Sequence, residues 1–175
     1  MDFELKSISE ESIPEALAKV ERYRLLNEPM LAESICLDVL AINPDHQQAL
    51  ISLLLARTDQ FHANAQSKGA LEVLPRIKGD YEQTYYAGII SERLGHARVR
   101  QGDPGARISA YHALQDAMHH YERAMKFAPH GNDDAILRWN TCARTIMQNP
   151  DIQPLPGHDP NAWPHDEAGP RIADA

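Results

Sequence analysis

The chain has 175 residues, 43% of them hydrophobic, which suffices for one domain with a true core. Its formal net charge of -8 runs against a nucleic-acid backbone or an anionic membrane surface as the main partner, because both reward clustered Lys and Arg. No stretch approaches the roughly 20 apolar residues of a membrane span, and Met1 to Lys6 shows no basic stretch followed by an apolar run, so a cytoplasmic protein is expected.

Apolar residues recur at helical rather than alternating spacing, and the expected fold class is all-α. Residues 1–12 read as an N-terminal extension. Ile13, Leu17 and Val20 then share one helical face, and Asn27-Glu28-Pro29 interrupts it. A second helix follows with Leu31, Ala32, Ile35, Cys36, Val39, Leu40 and Ile42, closed by Asn43-Pro44-Asp45, so residues 13–42 form a helical hairpin. The next helix, about 46–59, carries Leu50, Leu53, Leu54 and Leu55 and is apolar almost all round, which places it centrally. Between Phe61 and Asp80 the pattern weakens, and Pro75 predicts a kink or early stop near Leu74.

A long helix is predicted over about 81–100, with Tyr85, Ile89, Ile90, Leu94 and Ala97 inward, ending at Gln101-Gly102-Asp103-Pro104-Gly105. Ile108, Tyr111, Leu114, Met118, Tyr121 and Met125 then predict one continuous helix over about 107–128, before Pro129. A last helix over about 133–147 opens on Asp133 and Asp134, where the helix dipole favours acids, and sets Ile136, Leu137, Cys142, Ile146 and Met147 behind them. The helical domain thus covers 13–148. Residues 149–175 form a Pro-rich acidic tail, with six prolines and five acids against one Arg from residue 150 onward. The two cysteines, Cys36 and Cys142, lie in separate helices without zinc-like spacing and read as buried thiols.

Two stretches resemble the tetratricopeptide repeat, a helical pair of about 34 residues with small and aromatic residues at fixed offsets and a closing Pro. The first is Tyr23, Ala32, Cys36, Val39, Leu40, Asn43 and Pro44, where Ala32 lets the hairpin close and Tyr23 fills the gap a turn away. The second is Leu94-Gly95, Gly102-Asp103, Ala117, Tyr121, Ala124 and Ala128-Pro129, with about ten extra residues between Gly95 and Ala117. Residues 47–80 have the length of a middle repeat but carry Gln66 and Ala70 at the signature positions, and 133–147 resembles a capping helix. The resemblance implies stacked antiparallel hairpins in a short right-handed superhelix of about seven helices. It implies a concave groove, lined by the first helix of each pair, that holds a peptide or a partner helix. It turns Glu21, Arg24, Ile51, Leu55, Arg93, His96, Arg100, Asn140 and Arg144 toward that groove. Relatives that clamp a terminal carboxylate use Lys, Arg and Asn at such positions, and Arg93, Arg100, Asn140 and Arg144 are the residues here that would do so.

Two further features invite function. His112, Asp116 and either His119 or His120 fall on one helical face, a spacing that would suit zinc or a similar ion given another ligand from elsewhere. In the Pro-rich tail, Trp163 has little nearby to bury it and reads either as part of a disordered stretch or as an anchor that docks on a groove, the chain's own or a partner's, and the tail's acidity opposes the basic groove residues. The overhanging start of the 107–128 helix offers a surface for a second copy of the chain. The leading expectation is therefore a protein-binding module, an adaptor, chaperone-like binder or assembly subunit, whose partner is another protein or peptide. No cofactor, nucleic acid, membrane or catalytic role is expected. The alternative is a metal-binding or enzymatic helical protein built on the His112, Asp116 and His119 face.

Overall fold

The computed structural model describes residues 3–61, 67–102, 104–152 and 154. Within these the protein is all-α, with seven α-helices: α1 Ile13–Leu25, α2 Pro29–Ile42, α3 Gln47–Asp59, α4 Lys68–Val73, α5 Asp80–Gln101, α6 Pro104–Met125 and α7 Asp134–Gln148. Short 3-10 turns at Glu10–Ser12 and Leu74–Arg76 precede α1 and follow α4. The second lies where Pro75 withdraws a backbone donor, so the α-helix stops at Val73 as the sequence predicts. Among the described residues no helix is long and apolar enough to cross a membrane.

Each helix packs on its neighbour in the chain, and α1 also touches α3, as α3 touches α5. The first core lies among α1, α2, α3 and α4, with Leu17, Val20, Ala32, Cys36, Val39, Leu50, Leu53, Leu54 and Val73 buried and Tyr23 packed beside them. Ala32 and Cys36 are fully enclosed, as close approach within the first hairpin demands. Both cysteines are free thiols, and burial pushes each pKa up to about 12. A second core joins α5, α6 and α7 through Ile89, Leu114, Ala117, Tyr121, Ala124, Ala135 and Cys142. Leu55 and Tyr86 belong to both and link them.

The α5–α6 pair is drawn together by two glycines one heptad apart. A Cβ on Gly88 would lie 2.5 Å from a ring carbon of Tyr121, and one on Gly95 would lie 2.8 Å from Cγ of Leu114. The residues in excess of the repeat length between Gly95 and Ala117 become helix: α5 runs on to Gln101 and α6 begins at Pro104. Gly102 turns the chain between them at φ +79, the left-handed cap that glycine adopts without strain.

Three details depart from the sequence expectation. Helix α6 spans 104–125 rather than 107–128, because Pro is accepted in a first turn whose amide would be unpaired anyway. At its other end, Lys126, Phe127 and Ala128 bond back three residues instead of four, which tightens the chain out of the α-helix before Pro129. In α7 the inward face is Ala135, Trp139, Cys142 and Ile146, whereas Leu137 and Met147 are 62% and 79% exposed and Ile136 is also exposed. The two apolar stripes of α7 compete, and the one holding Trp139 buries more area. Finally, one face of the α6 overhang packs within the chain, where Ala106, Ala110, Tyr111 and Ala113 are buried. Arg107 pairs with Asp151 at 3.0 Å, and Ile152 is buried beyond the end of α7.

Replacing Gly88 with Ala should lower the unfolding free energy by about 1–3 kcal/mol through overpacking. The gain of ~1 kcal/mol in helix propensity does not rescue it, because Tyr121 is enclosed on all sides. Urea denaturation followed by circular dichroism measures the difference; unchanged or higher stability would mean that the helices are not held at this separation.

Candidate functional site

Helices α1, α3, α5 and α7 present their polar contacts to one another in sequence. Asp59, in the last turn of α3, accepts from Nε of Arg24 at 2.7 Å and pairs with a terminal nitrogen of Arg93 at 2.9 Å. One carboxylate thus holds the end of α1 and the middle of α5 to α3. The three side chains are partly sheltered, which strengthens the pairing above that of an exposed ion pair. They line an open cleft of about 500 Å³, together with Glu21, Leu25 and Asn27. Asn27 stands at φ 58, a left-handed conformation that Asn tolerates, and it turns the chain at the rim. Leu25 is 88% exposed at the cleft, and Leu26 and Met30 are exposed just after it in the chain. Arg100 donates to the Phe61 carbonyl at 3.2 Å, two residues past Asp59, which brings a third guanidinium to the same end of α3.

A second carboxylate plays the corresponding part between α5 and α7. Glu92, with 3% of its side chain exposed, accepts from the Tyr121 hydroxyl at 2.6 Å and from Arg138 at 3.1 Å, and His96 lies 3.7 Å away. Burial alone would raise the Glu92 pKa, but His96, the Tyr121 hydroxyl and the Arg138 guanidinium outweigh it and hold the carboxyl below its ordinary range. Burial and the adjacent Glu92 charge push the Tyr121 phenol far up, so it stays a donor. Tyr81, Tyr85 and Tyr86 pack around this cluster, with Tyr85 5.8 Å from the Tyr121 ring. Trp139 donates to Glu122 at 3.0 Å and closes α7 onto α6.

The residues expected to face a groove are therefore divided. Arg24 and Arg93 meet at the cleft. Ile51 and Leu55 are partly buried against the core below it. His96 is turned to Glu92 and serves the helix packing. The expected clamp of Arg93, Arg100, Asn140 and Arg144 is not assembled: Asn140 and Arg144 sit on α7, and neither lines the cleft that Arg93 shares with Arg24. They lie instead beside Ile136, Leu137 and Met147 on the outward face of that helix, opposite the stripe that Trp139 buries.

The histidine face does not form a metal centre. Among the described residues no three His, Cys, Asp or Glu side chains are grouped to hold an ion. Burial pushes the Asp116 carboxyl above its ordinary range, outweighing the opposite pull of His112 and His119. His120 points elsewhere: it is half-buried, its Nδ1 is enclosed, and burial pushes its pKa down to about 4, so it is neutral near pH 7. Trp163, the expected tail anchor, lies outside the described residues.

Asp59, Glu92 and Arg138 were not among the expected site residues. Glu92 had a legible signal, since it continues the inward stripe of Tyr85 and Ile89 at helical spacing, and a charge within such a stripe needs a buried partner. No protein-family model, curated protein or solved structure matches this chain.

The depressed Glu92 pKa has a signed consequence. A carboxyl whose folded pKa lies below its unfolded value contributes stability above the unfolded pKa, and loses it as pH falls through the folded value. Unfolding free energy should therefore decline below about pH 4, the ordinary Glu range, and Glu92→Gln should show a shallower decline. The same variant should cost on the order of 3 kcal/mol near pH 7, because it leaves Arg138 without its counter-charge. Urea titrations across pH check both, and an unaltered pH slope would contradict the role given to Glu92.

Proposed function

We propose that this protein is a binding module for another protein, and that its cleft between α1, α3 and α5 takes an acidic or carboxylate-terminated peptide. The observation that carries the proposal is the sharing of one carboxylate, Asp59, by Arg24 and Arg93 at an open cleft. Each guanidinium has five donors, and the described residues engage only a small part of them. The forks are pre-oriented by Asp59 at a cleft that Leu25 also lines, so a ligand carboxylate meets donors that need little further ordering. Arg24 and Arg93 share the cleft lining with Asp59 and Glu21, and Arg100 stands at the same end of α3 on the Phe61 carbonyl.

The succession of contacts from α1 to α3 to α5 to α7, with α2, α4 and α6 set between them in the chain, agrees with the resemblance to tetratricopeptide repeats. On that reading the odd-numbered helices line a concave groove of a short superhelix, and the protein serves as an adaptor, a chaperone-like binder or an assembly subunit. Cleft, guanidinium pairs and apolar rim account for one another without a cofactor or a reacting group.

Fluorescence anisotropy with synthetic peptides that end in acidic residues and a free carboxylate tests the proposal. Binding should weaken on amidating the peptide terminus and on raising the salt concentration. Arg24→Gln with Arg93→Gln should weaken it by roughly tenfold per lost charge-assisted bond; because the same change strips Asp59 of both partners and costs stability, binding is compared well below the variant's unfolding midpoint. Equal binding of basic and acidic peptides would overturn the proposal.

A further inference from the structure

Helix α7 carries two apolar stripes, and the fold uses one of them. The inward stripe of Ala135, Trp139, Cys142 and Ile146 belongs to the second core. On the outer side Ile136, Leu137, Asn140, Ala143, Arg144 and Met147 return every three or four residues, which aligns them along a single helix face. Asp133, immediately before the first turn, begins the same row. Ile136, Leu137 and Met147 stand exposed on it. Among the described residues neither Asp133 nor Arg144 joins an ion pair.

We infer that this face binds the same face of a second copy of the chain, α7 against α7, antiparallel about a twofold axis. The charges on the row select that arrangement. Its acid stands at the N-terminal end and its cation toward the C-terminal end, so a parallel pair would set Asp133 on Asp133 and Arg144 on Arg144, whereas an antiparallel pair sets each near its opposite. With Asn140 facing its twin at the axis, Leu137 of one copy meets Ala143 of the other, a large side chain against a small one. Ile136 then meets the stem of Arg144, whose guanidinium reaches Asp133 three residues, about 4.5 Å, further along the axis. An amide at the centre of an otherwise apolar seam bonds its twin and fixes the register. Opposed helix dipoles favour the same direction. Helix α2 also exposes Met30, Leu31 and Leu37, but it holds no cation, and two copies of its face would bring Asp38 to like charge. Because the twofold closes on itself, assembly stops at two chains. A seam of one 15-residue helix, about 22 Å long, lies at the low end of specific interfaces, near 1,200 Å² or below, so the dimer is a reversible one in the micromolar range. The inference does not involve the Arg24 and Arg93 cleft.

Analytical ultracentrifugation of the full chain from about 1 to 500 μM spans that range. The average mass should climb from 19.6 kDa toward twice that value. Leu137→Glu should stay monomeric throughout, with its circular dichroism unchanged because the side chain is exposed in the single chain. Asp133→Lys and Arg144→Glu should each weaken the dimer roughly tenfold, since the twofold removes two pairs at once. The two together should restore it, a recovery that a folding defect cannot produce. Leu37→Glu, on the exposed face of α2, should leave the dimer as it is. A monomer at every concentration would overturn the inference, as would a dimer indifferent to Leu137→Glu. Association abolished by Leu37→Glu would overturn it too, because α7 would then pack head to tail on α2 of the next copy.

Discussion

A carboxylate shared between neighbouring helices is the interaction on which the rest of this structure depends. Asp59 fastens α1 and α5 to α3, and Glu92 fastens α7 to α5 while accepting from Tyr121 of α6. Apolar burial drives the helices together, yet it is not directional, and the two cores share Leu55 and Tyr86 among the described residues. The shared carboxylates supply what burial lacks, a fixed axial register between one odd-numbered helix and the next. A half-buried carboxylate that lost its cations would be costly, so sliding along the helix axis is opposed at two points along the array.

The same economy creates the site. A carboxylate that serves two arginines satisfies its own needs while leaving donors on both, and where the helices part at the end of α3 those donors border an open cleft. Deeper in the molecule the equivalent cluster is closed: Glu92 is enclosed by tyrosines, and Arg138 and His96 are committed to it. Packing thus separates two chemically similar clusters into one that is enclosed in the fold and one that borders an open cleft. The close α5–α6 contact at Gly88 and Gly95 contributes by seating Tyr121 where its hydroxyl meets Glu92.

Much of the fold was legible in the sequence, because helix boundaries here follow local rules. Pro29, Pro44, Pro75, Gly102 and Pro129 punctuate the chain, and the helices begin or end within a few residues of them. The inner face of α7 was not legible, since two apolar stripes share that helix and the choice between them is made by the fit of Trp139 to α6. Of the expected site, Arg24 and Arg93 come together but Asn140 and Arg144 do not, because the repeat pattern specifies which face a residue takes and not which neighbour it finds. Asp59 and Glu92 escaped for a related reason: spacing within one helix says nothing of the cations that two other helices bring. Among the described residues the histidine face is not a metal centre, because a shared helical face does not by itself bring three ligands to one point.

The central claim is that ligands meet the chain on the face shared by α1, α3 and α5. Backbone amide NMR, feasible for a 19.6 kDa chain, tests it directly when an acidic peptide with a free carboxylate is titrated into the full-length protein. The largest shift changes should fall on Glu21 to Asn27, on Asp59 and its neighbours, and on α5 around Arg93. Changes confined to α2, α4 and α6, or to the outward face of α7, would contradict it.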